Sequence, residues 1–141
     1  MLTLHFRGRV LLLLLLITIA GCKKRRTVAI TPNNMKQLEG TWLLSQEENT
    51  GDTLVYRPNT YAFPPARGRT GFAIKPYGRF EQFDIAPTDG LDGRPGTWTI
   101  DRKTKLRIHL NDELDPNYTL EILEVDSVNK ILKVRRLASP G

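Results

Sequence analysis

LEGTWLL (residues 38–44) and RPGTWTI (residues 94–100) are the two stretches on which the fold turns. Each sets Gly-Thr-Trp at the head of a short run of apolar residues, and together they hold both tryptophans of the chain. Past the tripeptide the two diverge, LLSQEENTGD following one and TIDRKTKLRI the other, so no duplication is implied. A glycine at a strand start lets an indole lie close over the backbone. Two inward-facing tryptophans are large plugs for a small barrel. The repeated tripeptide is therefore read as a packing device used twice.

Outward from these stretches the pattern stays β. Runs rich in β-branched and aromatic residues alternate with turn clusters, predicting strands at 41–46, 53–57, 71–75, 79–85, 97–101, 105–110, 118–125 and 130–137. KPYGR, DRKTK and DSVNK supply turn chemistry between neighbours. Alternation puts Trp42 and Leu44 on one inward face, with Leu54 and Tyr56, Phe72 and Ile74, Trp98 and Ile100, and Leu106, Ile108 and Leu110 on others. The fourth, seventh and eighth strands carry apolar residues on both faces. Before them, Thr31 is an N-cap candidate, Pro32 a first helical residue and Gly40 a stop, for one or two helical turns. The expected fold is all-β: a small eight-stranded antiparallel up-and-down barrel, closed to remove its edges, with a short N-terminal helical turn.

The N-terminus precedes that domain. Arg7 and Arg9 stand before an apolar run, Val10 to Ala20, and no acid occurs until Glu39. A membrane-spanning helix needs roughly 20 apolar residues, so this shorter run has the form of a secretory signal core. It ends in IAGC, where Cys22 is the only cysteine. This arrangement resembles a bacterial lipobox. The resemblance implies cleavage before Cys22 and acylation of the cysteine with chains such as palmitate, each methylene contributing about 0.8 kcal/mol of anchoring. With no aspartate or acidic run after the cysteine, it also implies the periplasmic face of the outer membrane. The divisions expected are a signal peptide at 1–21, a lipid anchor and basic tether at 22–34, and the barrel at 35–141.

The formal charge of +6 comes from 21 basic and 15 acidic residues among 141. Six of the basic ones lie before Thr27 (Arg7, Arg9, Lys23, Lys24, Arg25 and Arg26), which leaves 15 against 15 in the domain. A neutral domain lacks the basic footprint of a nucleic-acid binder. The Lys23–Arg26 cluster is instead placed to lie on anionic head groups, at about 1 kcal/mol per basic residue.

Gly40 and Trp42, after a helical turn and at the head of the first strand, resemble the G-x-W signature of the lipocalins and of shorter lipocalin-like domains in bacterial lipoproteins. ARGRTGF (residues 66–72) and the second GTW look like features of those short domains. The resemblance implies an arginine packed across Trp42, with Arg135 and Arg136 as the candidates. The T-D-Y motif of the lipocalins is poorly matched, DPNY (residues 115–118) being a remote counterpart.

Chemistry-bearing residues are few. His109 is the one histidine past the signal, and it falls on an outward parity without histidine or cysteine partners. DGLDG (residues 89–93) and NDELD (residues 111–115) do not have calcium-loop spacing and are read as solvated turns. No catalytic residue, metal or cofactor is expected, and the protein is not read as an enzyme. Tyr61, Phe63, Arg67 and Arg69 share one long connection, and aromatics beside arginines at a barrel mouth suit an amphipathic anion. The structural reading of the same loop pairs one of the arginines with Asp84 or Asp89. Function is expected to be the periplasmic binding of a small apolar or amphipathic ligand by a membrane-anchored barrel. The alternative is a ligand-free envelope adaptor, inhibitor-like in one form. A cavity of at least about 300 Å³ favours the first, a solid core the second.

Overall fold

The computed structural model describes residues 29–85, 91–112 and 117–138. Cys22, Lys23–Arg26 and Asp89 lie outside these residues. The described residues open with a helix, α1 (Pro32–Leu38), followed by eight strands: β1 (Gly40–Leu44), β2 (Leu54–Pro58), β3 (Gly71–Ile74), β4 (Arg79–Ile85), β5 (Leu91–Arg102), β6 (Lys105–Leu110), β7 (Tyr118–Asp126) and β8 (Ile131–Ala138). A 3₁₀ turn, Gln46–Glu48, follows β1. All strand pairs are antiparallel and the sheet closes into a barrel.

The expected small eight-stranded antiparallel barrel with one short helix is thus present. Its strand order is not a strict meander. Around the barrel it runs β1-β2-β8-β7-β6-β5-β4-β3, so β1 lies between β2 and β3, and β2 meets β8. Two features of the sequence permit this. The connection from Asn59 to Thr70 is long enough to carry the chain from the end of β2 past β1 to the start of β3. Gly71 in turn lets β3 approach β1 closely, because a Cβ there would lie 2.1 Å from the Trp42 carbonyl oxygen.

One end of the barrel is capped by α1. Thr31 accepts the Asn34 amide through its hydroxyl at 3.3 Å, the N-cap expected. Met35 and Leu38 bury their side chains in the core. The Ile30 amide donates to the Lys103 carbonyl in the β5–β6 turn. The indole Nε1–H of Trp42 reaches back to the Leu38 carbonyl at 2.8 Å. Neither Gly-Thr-Trp glycine lies beneath an indole. The Cβ direction of Gly40 is empty, and its φ of +134° is the reason for glycine. Gly96 sits within β5, where a Cβ would press on the His109 carbonyl of β6 at 2.4 Å.

The inward faces follow the alternation, with two corrections. Ile100 is 48% exposed near the end of β5, where the β5–β6 register shifts. β5 also begins at Leu91, so part of the DGLDG stretch is strand rather than turn. The ambiguous strands resolve as well. In β4 Phe80 and Gln82 point inward. In β7 a bulge between Ile122 and Glu124 switches parity, so Tyr118, Leu120 and Ile122 face the core and Val125 rejoins it. Aromatic rings then fill the interior in sequence: Tyr56 to Phe72 at 4.7 Å, Phe72 to Phe80 at 5.6 Å, and Phe80 to Tyr118 at 6.5 Å between centroids.

Candidate functional site

The antiparallel order sends the start of β1 and the ends of β3, β5 and β7 to the helix-capped end. The starts of β3 and β7 and the ends of β4 and β8 meet at the other, which we call the mouth. A pocket of about 140 Å³ opens there, lined by Tyr56, Phe72, Gln82, Asp84, Tyr118 and Arg136 among others. Each polar group arrives by strand parity. Gln82 lies two residues beyond inward-facing Phe80, and Arg136 two beyond inward-facing Val134.

A hydrogen-bonded chain forms one wall. The Tyr118 hydroxyl donates to Gln82 Oε1 at 2.9 Å, and Gln82 Nε2 donates to Asp84 Oδ1 at 2.9 Å. Arg94 then joins Asp84 at 2.9 Å to Asp112, which it grips with two donors at 2.7 and 2.6 Å. Gln82 is 5% exposed, and the chain satisfies its buried amide. The opposite wall differs. Arg136 holds its guanidinium carbon 3.9 Å from the Tyr118 ring centroid and has no acidic partner among the described residues. The Tyr56 hydroxyl has no hydrogen-bond partner among them either. Burial pushes the Tyr56 phenol up to about 12, against the favourable field of Arg136. Burial raises the Tyr118 phenol further still. Both rings therefore present neutral hydroxyls at neutral pH. Arg94 is shared by two acids, so the other wall keeps a surplus negative charge, and Arg136 is the cation that lines the pocket without an acidic partner among the described residues.

The loop residues singled out from the sequence do not line this pocket. The crossover from Asn59 to Thr70 is fastened instead by a pair of arginine clamps. Arg69 donates to Glu47 at 3.0 and 2.7 Å, to the Leu44 carbonyl at 3.1 Å and to the Pro64 carbonyl at 2.9 Å. Its guanidinium lies 4.6 Å from the Phe63 ring centroid. Arg57 grips Glu48 at 2.8 and 2.5 Å, reaches the Asn129 carbonyl at 2.8 Å, and lies 4.7 Å from the Tyr61 ring. Tyr61 and Phe63 meet edge to face at 5.0 Å. Arg69 is buried, so one arginine of the loop is structurally paired, but its acid is Glu47 rather than Asp84, and Asp89 lies outside the described residues. Hydrogen bonding from Arg69 holds the Glu47 carboxyl down at about 2. Arg67 is exposed, apart from both clamps.

The arginine implied across Trp42 is also placed elsewhere. Arg136 covers Tyr118, and Arg135 faces Asp52 at 2.6 Å and Glu121 at 3.1 Å. The strand order gives the reason: β2 stands between β1 and β8, so the last strand does not run beside Trp42. His109 is exposed on the outer surface, and among the described residues no group of three or more histidine, cysteine or acidic side chains is placed to hold a metal ion. Sequence reasoning puts Tyr56 on an inward face and Arg136 among the candidates to cover Trp42, but assigns neither of them, nor Gln82, to a site. The signal available was a polar residue at inward parity, Gln82 after Phe80 and Arg136 after Val134.

No family model, curated protein or solved structure matches this chain. What stands is the architecture: an eight-stranded antiparallel closed barrel, compatible with a lipocalin-like fold and with ligand binding.

Proposed function

We propose that this protein is a lipid-anchored binding module of the bacterial envelope, held through Cys22 on the periplasmic face of the outer membrane. Its barrel mouth takes a small amphipathic ligand by an anionic group. The observation that carries the binding role is the mouth itself, where an unpaired guanidinium and an unpartnered phenol border one pocket. A carboxylate or phosphate between Arg136 and Tyr56 accepts charge-assisted hydrogen bonds from both. Phe83 and Leu120 supply apolar wall beside them. The aromatic filling of the interior favours a small head at the mouth over an apolar body inside, since ligand pockets run from about 300 Å³ upward. The role proposed is binding, with no cofactor or metal invoked.

The anchoring role rests on the Arg7–Cys22 sequence pattern and the basic cluster after it. Cys22→Ser then leaves an unprocessed species that retains its apolar segment, and the wild type carries acyl mass. Unchanged membrane partitioning together with an unacylated wild type defeats this half of the proposal. Titration of the purified protein with small carboxylates and phosphates, followed by NMR, tests the other half. Shifts at Tyr56, Tyr118 and Arg136 that vanish in Arg136→Gln support the mouth; shifts unaffected by that substitution rule it out.

The filled interior also favours a second reading, a ligand-free envelope adaptor. Native mass spectrometry separates the two: a co-purifying small anion belongs to the binding module, whereas a bare protein with no response to any anion belongs to the adaptor.

A further inference from the structure

Among the described residues, the four large hydrophobic side chains that stand out exposed are at the helix-capped end of the barrel. Tyr77 (96% exposed) is in the β3–β4 turn, Val128 (87%) in the β7–β8 turn, Ile100 near the end of β5, and Tyr61 just past the end of β2. The charged side chains left without an ion-pair partner in these turns are basic. Arg79, Lys103 and Lys130 are exposed in or next to the same three turns and have no acidic partner among the described residues. Of the acids nearby, Asp101 pairs with Arg107, Glu81 with Lys75, and Asp126 accepts the Val128 and Asn129 amides, while exposed Glu39 after α1 has no basic partner among the described residues.

Tyr77 has φ 62° and Lys130 φ 53°, the left-handed region that side chains other than glycine rarely adopt. A tyrosine held there with its ring in water is strained and buries nothing in this chain. Such positions persist where the side chain has a use. Tyrosine at a polar–apolar boundary, interleaved with lysine and arginine, is the composition of a surface that meets lipid head groups.

The tether enters at this same end. Ile30 is pinned to the β5–β6 turn, and Cys22 lies only eight positions earlier, which limits the reach to about 28 Å even when fully extended. We infer that the helix-capped end is a docking face for the anionic surface of the bilayer, with Tyr77 and Val128 entering the head-group layer and Arg79, Lys103 and Lys130 meeting lipid phosphates. The inference rests on the lipid-anchor reading above. It turns the mouth away from the membrane, toward the aqueous compartment.

The test uses the full processed chain reconstituted into vesicles, one set of phosphatidylcholine alone and one containing phosphatidylglycerol, with amide hydrogen exchange read by mass spectrometry. Exchange should slow in the turns at 75–79, 102–105 and 126–131 when phosphatidylglycerol is present. It should stay unchanged in the 45–53 segment at the mouth end. Lys103→Glu with Lys130→Glu should abolish the protection while the protein still sediments with vesicles. Tyr77→Gly should weaken it as well; that substitution relieves the left-handed residue, so a loosened turn does not account for the loss. Equal exchange in the two vesicle types, with the protein sedimenting, overturns the docking face and leaves the anchor standing. A chain that stays in solution beside both vesicles sinks the anchor and the docking face together.

Discussion

The indole of Trp42 donates to the carbonyl of Leu38 at 2.8 Å, so one side chain caps the end of α1 and plugs the barrel beneath it. The last carbonyls of a helix have no partner within it, and a buried one left unpaired is costly. Trp42→Ala is expected to lose about 3–5 kcal/mol in urea unfolding, as large core truncations do. Trp42→Phe keeps most of the volume but strands Leu38, for about 1–3 kcal/mol.

Trp98 is only half-buried, although its Nε1–H reaches the Lys75 carbonyl at 3.0 Å. Its truncation should therefore cost less than that of Trp42, about 1–3 kcal/mol. Equal losses at the two sites would contradict the difference in their burial.

Arg69 and Arg67, two residues apart, should behave in opposite ways. Arg69→Ala frees the crossover and removes hydrogen bonds to the Leu44 and Pro64 carbonyls, costing about 1–3 kcal/mol without any ligand. Glu47 is 44% exposed and stays hydrated, which keeps the loss below that of a buried ion pair. Arg67→Ala should remain within about 0.5 kcal/mol of wild type. Denaturant midpoints of the two single variants decide the matter.

The same clamp sets an acid limb. Arg69 holds Glu47 at about 2, below its ordinary 4.5, so the folded state favours the ionised form. The stabilisation is present above pH 4.5 and is lost as pH falls from there toward 2. Solvent screening reduces it at this exposed carboxylate. Glu47→Gln should flatten that part of the stability–pH curve; a curve of unchanged shape would show that the pair contributes nothing.

The alkaline limb belongs to the mouth. Burial raises Tyr56 from 10 to about 12, favouring the protonated phenol in the folded state. Its contribution is complete below pH 10 and is lost as pH rises from 10 to 12. Tyr56→Phe should remove this loss, read as the midpoint of alkaline unfolding. A small anion bound beside Arg136 should raise the Tyr56 pKa further.

Gly71→Ala tests the unusual strand order. The added methyl group would press on the Trp42 carbonyl, which is backbone and cannot swing aside. A loss of about 3 kcal/mol is expected, as for overpacking in a tight site. A neutral substitution would show that β1 and β3 do not approach this closely.

Alternation made the inward faces of β1, β2, β3 and β6 readable, because one side of each is apolar. It failed in β7, where a bulge after Ile122 moves Val125 to the core side and so breaks the two-residue period. The strand order was not legible either. A connection of the length found between Asn59 and Thr70 is compatible with a neighbour or with a crossover, and only the fit of Gly71 against Trp42 separates them. In the site, aromatics and arginines close together in sequence drew the reading to 61–69. Tyr61, Phe63 and Arg69 are close together because, with Arg57, they clamp the crossover to Glu47 and Glu48, and Arg67 stands apart. The mouth residues come from β2, β4, β7 and β8, and no local pattern joins them.

The placement of β1 between β2 and β3 also decides when the barrel can be finished. β2 is closed by only three register pairs, Leu54 to Tyr56 against Leu132 to Val134 of the final strand. Until that strand arrives, β2 has one unpaired edge, which other chains could extend. A chain delivered from its N-terminus thus keeps an adhesive border for most of its emergence. Closure, a contact between the two ends of the domain, is the slow, entropy-limited event of folding. A strict meander would have exposed β1 in that interval; here β1 is sheltered on both sides once β3 pairs, and the short, arginine-clamped β2 is the strand left waiting.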